Sequence, residues 1–190
     1  MDTFDRSEYN RPGGARDFPA GRSDMMRREC TLYGFTMHYL RLLVEGIDDA
    51  QMAVQPAPQI NHPAWLLGHL AIAADYVPLV LGEKMSLPEA WHKQLFGPGS
   101  LPTTERDRYP SKAELVASLE RLYERNLQLV AAAPEATLAA PHKIEFFLPL
   151  LPTVGDMVAH LMSTHVAFHL GQLSTWRRLM GLPGVLKFPA

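Results

Sequence analysis

An all-α fold, a four-helix bundle with long connecting loops, is predicted by three features of the 190-residue sequence. Four stretches carry apolar residues at steps of three and four, each long enough for several helical turns. Capping residues, prolines and glycines bound these stretches. The runs between them are irregular and hold no set of alternating strands that could pair into a sheet.

Residues 1–22 are polar and contain Pro12-Gly13-Gly14, Pro19 and Gly21, which reads as a flexible N-terminal arm. The bundle domain then spans 23–190. Ser23 or Asp24 caps a first helix running to Met52, with Met26, Cys30, Tyr33, Met37, Leu40, Val44 and Ile47 as its buried seam. The second helix is capped by Asn61, takes Pro63 in its first turn and runs to Leu81, where Gly82 closes it. Pro78 implies a kink or a frayed last turn. From Glu83 to Pro110 lies a loop of about 28 residues, longer than a bundle connection needs. Its Trp91, His92, Phe96 and Tyr109 either face a ligand or pack as an ordered crossover. Ser111-Lys-Ala-Glu114 is a capping box that starts a third helix to Ala133, with Leu115, Leu119, Leu122, Leu129 and Val130 inward. Asn126 interrupts that stripe, either as a polar residue supporting a site or, the preferred reading, as a partly buried residue bonded to backbone. Residues 134–152 are irregular again, with Glu145–Leu148 extended. The last helix reads as one piece from Thr153 to Met180, ended by Gly181 and Pro183. Its stripe is Val154, Met157, Leu161, Phe168, Leu173, Trp176 and Leu179. The tail from Pro183 to Ala190 packs on the bundle or on a neighbouring subunit.

Composition narrows the function classes. With 47% hydrophobic and 20% charged residues, the chain has the make-up of a soluble globular domain. A net charge of -2 with no basic block gives no nucleic-acid surface. Apolar runs such as Val77–Leu81, with Pro78 inside it, are too short to span a membrane, and the N-terminus lacks the order of a signal peptide. One cysteine, Cys30, on an apolar helix face, reads as a buried structural thiol in a reducing cytoplasm.

The chemistry lies with the histidines. His165 and His169 are one helical turn apart on one face. Such a pair is either half a metal site or two half-buried histidines bonded to neighbours. His69 shares an inward face with Trp65, Leu66, Ala73 and Tyr76, as a core histidine or as the missing third ligand. Three imidazoles from two helices can meet at one point and leave an open coordination position, which suits zinc or nickel and not magnesium or calcium. His38, at the edge of the first seam, reads as solvated or structural. Only one Glu-x-x-His occurs, Glu89 to His92, where a di-iron carboxylate bundle needs two, and there is no Walker loop, dinucleotide fingerprint, nucleophile elbow or Cys-x-x-Cys.

Asn61-His-Pro-Ala-Trp65-Leu-Leu-Gly-His69-Leu-Ala, together with His165-x-x-x-His169-x-Gly171-Gln172, resembles the DinB/YfiT-like metalloprotein superfamily. The resemblance covers residues 24–182. It implies a four-helix bundle with His69, His165 and His169 as ligands of one divalent metal, and a homodimer. Its activities include thiol-dependent isomerisation and S-transfer as well as metal-dependent hydrolysis, and many members have no assigned activity. Expected here, then, is an enzyme that uses metal to activate a thiol or water toward a small-molecule substrate. The alternative is a non-catalytic metal- or small-ligand-binding bundle protein. Arg177-Arg178 is the candidate cluster for the carboxylates of a low-molecular-weight thiol. Asp75 is the nearest acid to His69 and reads as a surface or capping charge.

Overall fold

A computed structural model describes residues 26–186, so the arm and the caps expected at Ser23 or Asp24 lie outside the described residues. The predicted seam of the first helix buries Met26, Cys30, Tyr33, Met37, Leu40 and Val44 on α1, Arg27–Val44. Burial, and then the neighbouring Glu29, push the Cys30 thiol up to about 11, as suits a structural cysteine. The helix stops eight residues short of the predicted end. Glu45 turns extended and Gly46 takes a φ of 71°, a backbone state that glycine reaches without strain. Ile47 and Met52 stay in the core from the turns that follow, which is why their spacing mimics a continuing helix. Arg177 donates to the carbonyls of Leu43 and Glu45 at the end of α1.

α2 spans Pro63–Val80 and is buried on nearly every side. It is long and apolar enough to cross a membrane, at a mean hydropathy of 1.3, but 78% of it is buried within the fold. Its cap is His62, not Asn61. His62 Nδ1 accepts from the Trp65 amide, while Asn61 instead donates to Gln172 on the last helix. Pro78 sits inside α2 and cannot supply the N–H that the Ala74 carbonyl four residues back would receive. Fully buried Asn126, on the next helix, supplies it instead through Nδ2, at 2.9 Å. α3 is Lys112–Ala132, started by Ser111 Oγ accepting from the Glu114 amide. Replacing Asn126 with leucine keeps the volume but orphans that carbonyl. The expected cost is about 1–3 kcal/mol, read as a lower urea midpoint at unchanged slope.

The segment after α3 is more ordered than the sequence suggests. Glu135–Ala139 forms the short helix α4, and Glu145–Phe147 is a 3-10 turn, not the extended run expected there. Buried His142 closes this segment, bonding the Leu151 carbonyl at 2.5 Å and accepting from the Ile144 amide. Among the described residues no strand forms, only an isolated bridge between Pro141 and Thr153.

The last helix begins with a capping box of Thr153 and Asp156. It is not uniform. α5, Val154–Ala159, passes through a π turn at His160–Thr164 into α6, His165–Leu179. One extra residue in that turn shifts the phase of everything after it. The buried positions therefore run Val158, Met162, Val166, Leu170 and Leu173, while Phe168 and Leu179 are 67% and 52% exposed. Both were placed in the stripe by an unbroken 3.6-residue period, which the π turn breaks. Gly181 ends the helix at a φ of 74°, and Leu182 and Val185 pack against the core. α2 packs along α3, and α1 lies against the π turn and α6, which completes the four-helix arrangement around a single core.

Candidate metal centre

His69 projects from the middle of α2, and His165 and His169 from the start of α6. Their ring centroids lie 5.2 Å (His69–His165), 4.6 Å (His69–His169) and 4.7 Å (His165–His169) apart. One nitrogen from each ring falls within 4.8 Å of the others, and all three residues are half-buried. A tetrahedral zinc or nickel shell with bonds of about 2.0–2.1 Å wants nitrogens about 3.3 Å apart, so small rotations of the rings would close the set. No carboxylate belongs to the cluster.

The surroundings fit that role. His69 Nδ1 lies 2.7 Å from the Phe96 carbonyl. A carbonyl only accepts, so the proton sits on Nδ1 and the Nε2 lone pair is left for a metal. Trp65 stacks flat on the His69 ring, at 4.7 Å and 8°, and fixes its plane. His165 and His169 each bury an Nδ1 that has no hydrogen-bond partner among the described residues. Burial lowers all three rings from the ordinary histidine value. His165 is brought to about 3 by desolvation and then by the neighbouring His169, His69 and His160. His169 is brought to about 4 by desolvation and His69, against an opposing bond from Gln172. His69 is lowered by desolvation against the Phe96 bond. At neutral pH the cluster is therefore three uncharged imidazoles, the form that binds a divalent cation.

Other candidate residues lie differently. Asp75 is not a surface charge: it is fully buried and accepts from the Ser86 and Leu87 amides, the Ser86 hydroxyl and His92 Nε2. That network occupies His92 Nε2. Trp91, Phe96 and Tyr109 are buried, as in an ordered crossover. Arg177 is also buried and bonded to α1 carbonyls, so it cannot take a ligand's carboxylates; Arg178 donates to Thr175. His38 lies half-buried on α1 and is not part of the cluster.

Two histidines gain roles that the sequence reading did not give them. His62 is fully buried, and its Nε2 donates to the Thr103 carbonyl at 2.9 Å, which ties the far end of the long loop to the start of α2. His160 bonds Thr164 Oγ1 at 2.7 Å and stands with its ring 5.6 Å from His165. In an ordinary helix residues five apart face different ways. The π turn brings these two together.

Comparison with known proteins agrees with the site's setting. No curated protein matches the chain. A family model of the DinB superfamily matches residues 33–173, from the middle of α1 to the middle of α6, and takes in all three clustered histidines. The protein belongs to the DinB superfamily.

Proposed function

We propose that His69, His165 and His169 hold one zinc or nickel ion, and that the protein is a metal-dependent enzyme acting on a small molecule with a low-molecular-weight thiol. DinB-like domains are often metal-binding, and the cluster here could hold an ion. The observation that carries the reading is the donor set: three neutral imidazoles with no carboxylate among them. With no anionic ligand to offset it, a bound divalent ion would keep its full charge and favour the deprotonated form of a thiol or of water at its fourth position.

The chain's own residues do the positioning. Trp65 and the Phe96 carbonyl orient His69, while α6 sets the spacing of the other two rings. A cytoplasmic homodimer is part of the same proposal. Its support is the exposed apolar surface at Phe146 and Leu150, 82% and 79% accessible.

Cobalt-substituted protein titrated with low-molecular-weight thiols tests the reaction class. A cobalt–sulfur charge-transfer band in wild type, absent from His169→Ala, is the expected result. No band with any thiol, alongside measurable ester hydrolysis, would turn the reading to a hydrolase. Neither signal would leave a non-catalytic metal protein.

A further inference from the structure

The 83–110 loop is fastened to α2 at four levels, and one of them is a clustered histidine. His62 holds Thr103, Trp65 Nε1 donates to Ser100 Oγ at 2.9 Å, and His69 donates to the Phe96 carbonyl. Asp75 is the fourth, with five hydrogen bonds to Ser86, Leu87 and His92. Between Asp75 and the Phe96 carbonyl the loop runs through a π turn, Trp91–Leu95, whose last bond is Phe96 N–H to the Trp91 carbonyl. Loop and helix also meet without a gap. A Cβ on Gly68 would lie 2.3 Å from the Phe96 ring, so only glycine lets that ring, and the carbonyl beside it, sit where they do.

We infer that Asp75 and Gly68 are positioning residues of the metal centre: they hold the loop so that the Phe96 carbonyl keeps His69 turned toward the ion. The inference rests on the metal reading proposed above. Neither residue touches the ion. Asp75 acts through the Ser86–Phe96 segment, and Gly68 through the room it leaves for the Phe96 ring. An imidazole whose second nitrogen loses its acceptor is free to rotate and to change tautomer, and it becomes a weaker ligand. Coupling of this kind is reciprocal, so an ion at the histidines must in turn tighten the loop's hold on Asp75.

Metal affinity by chelator competition, with zinc as the probe, is the first measurement. Gly68→Ala and Asp75→Asn should each weaken binding by about 10–100-fold relative to wild type. Leu138→Ala, which opens a cavity where α4 packs on α5 and so destabilises the fold at another place, should leave affinity within about threefold. That variant separates positioning from general loss of stability. The second measurement needs no variant: adding zinc to wild type should slow amide exchange at Ser86 and Leu87, whose N–H groups bond Asp75 and not the site. In the zinc-loaded protein the His69 Nδ1 proton should give a hydrogen-bonded imidazole resonance that Gly68→Ala shifts or broadens away. Wild-type zinc affinity in Gly68→Ala, or exchange at Ser86 and Leu87 unchanged by zinc, overturns the inference and leaves the metal reading standing. A wild type that binds no zinc overturns the metal reading itself.

Discussion

Wild-type protein, purified without a histidine tag, should carry close to one zinc or nickel per chain, and His69→Ala, His165→Ala and His169→Ala should each strip it. The three rings come from two helices and converge to centroid separations of 4.6–5.2 Å with no other donor in the cluster. With only three protein ligands, losing one leaves two, and two imidazoles hold a divalent ion poorly at micromolar metal. The loss should exceed the factor of about 10–100 that removal of an outer hydrogen-bond partner brings. Elemental analysis of dialysed protein, with chelator competition for the affinities, measures it. His38→Ala and His142→Ala are the matched controls, because neither ring belongs to the cluster, and both should retain wild-type metal content. Retention of full metal content by all three cluster variants would show that the ion, if any, sits elsewhere.

The three clustered histidines are legible in the sequence because each lies in locally regular helix. A one-turn spacing puts His165 and His169 on one face whatever precedes them, and the inward face of α2 around His69 follows from its apolar neighbours. Legibility failed where the local rule was broken by something distant. Phe168 and Leu179 were placed inward because a π insertion at His160–Thr164 leaves no signature in apolar spacing. The same insertion hid His160, which comes beside His165 only through it. Asp75 looked like a surface charge because nothing in α2 reveals that two amides, a hydroxyl and an imidazole from the loop will converge on it. His62 is a different case. Pro63 at the first helical position makes the residue before it the cap, so the signal was present, and Asn61 was chosen on side-chain preference over position.

Acid should unfold the metal-free protein well above the pH at which carboxylates titrate, and the reason is the number of histidines buried uncharged. Desolvation, opposed by its hydrogen bonds to backbone, holds His62 at about 4, and the cluster rings His165 and His169 sit at about 3 and 4. In the unfolded chain each returns to about 6.5. As pH falls below that value the unfolded chain takes up protons that the folded chain refuses. Stability is therefore full above about pH 6.5 and is lost as pH falls toward 4, a slope opposite to that of a histidine stabilised by a carboxylate. Each unit of separation is worth about 1.4 kcal/mol, so three groups together could remove several kcal/mol from a total of about 5–15. His62 contributes whether or not metal is present, because its Nδ1 must stay unprotonated to cap α2. The cluster rings add a second effect: bound metal stabilises only the neutral imidazoles, so protons compete with it and the stabilisation by metal fades over the same range. Melting curves of metal-free and metal-loaded protein from pH 7.5 to 4.5 should show both midpoints falling, with the gap between them closing. His62→Asn keeps a capping oxygen and removes one titrating group, so its metal-free midpoint should fall less steeply between pH 6.5 and 4.5. A metal-free midpoint that stays flat across that range would mean that these rings are not held neutral by the fold, and a constant gap would mean that the metal is not bound through histidine.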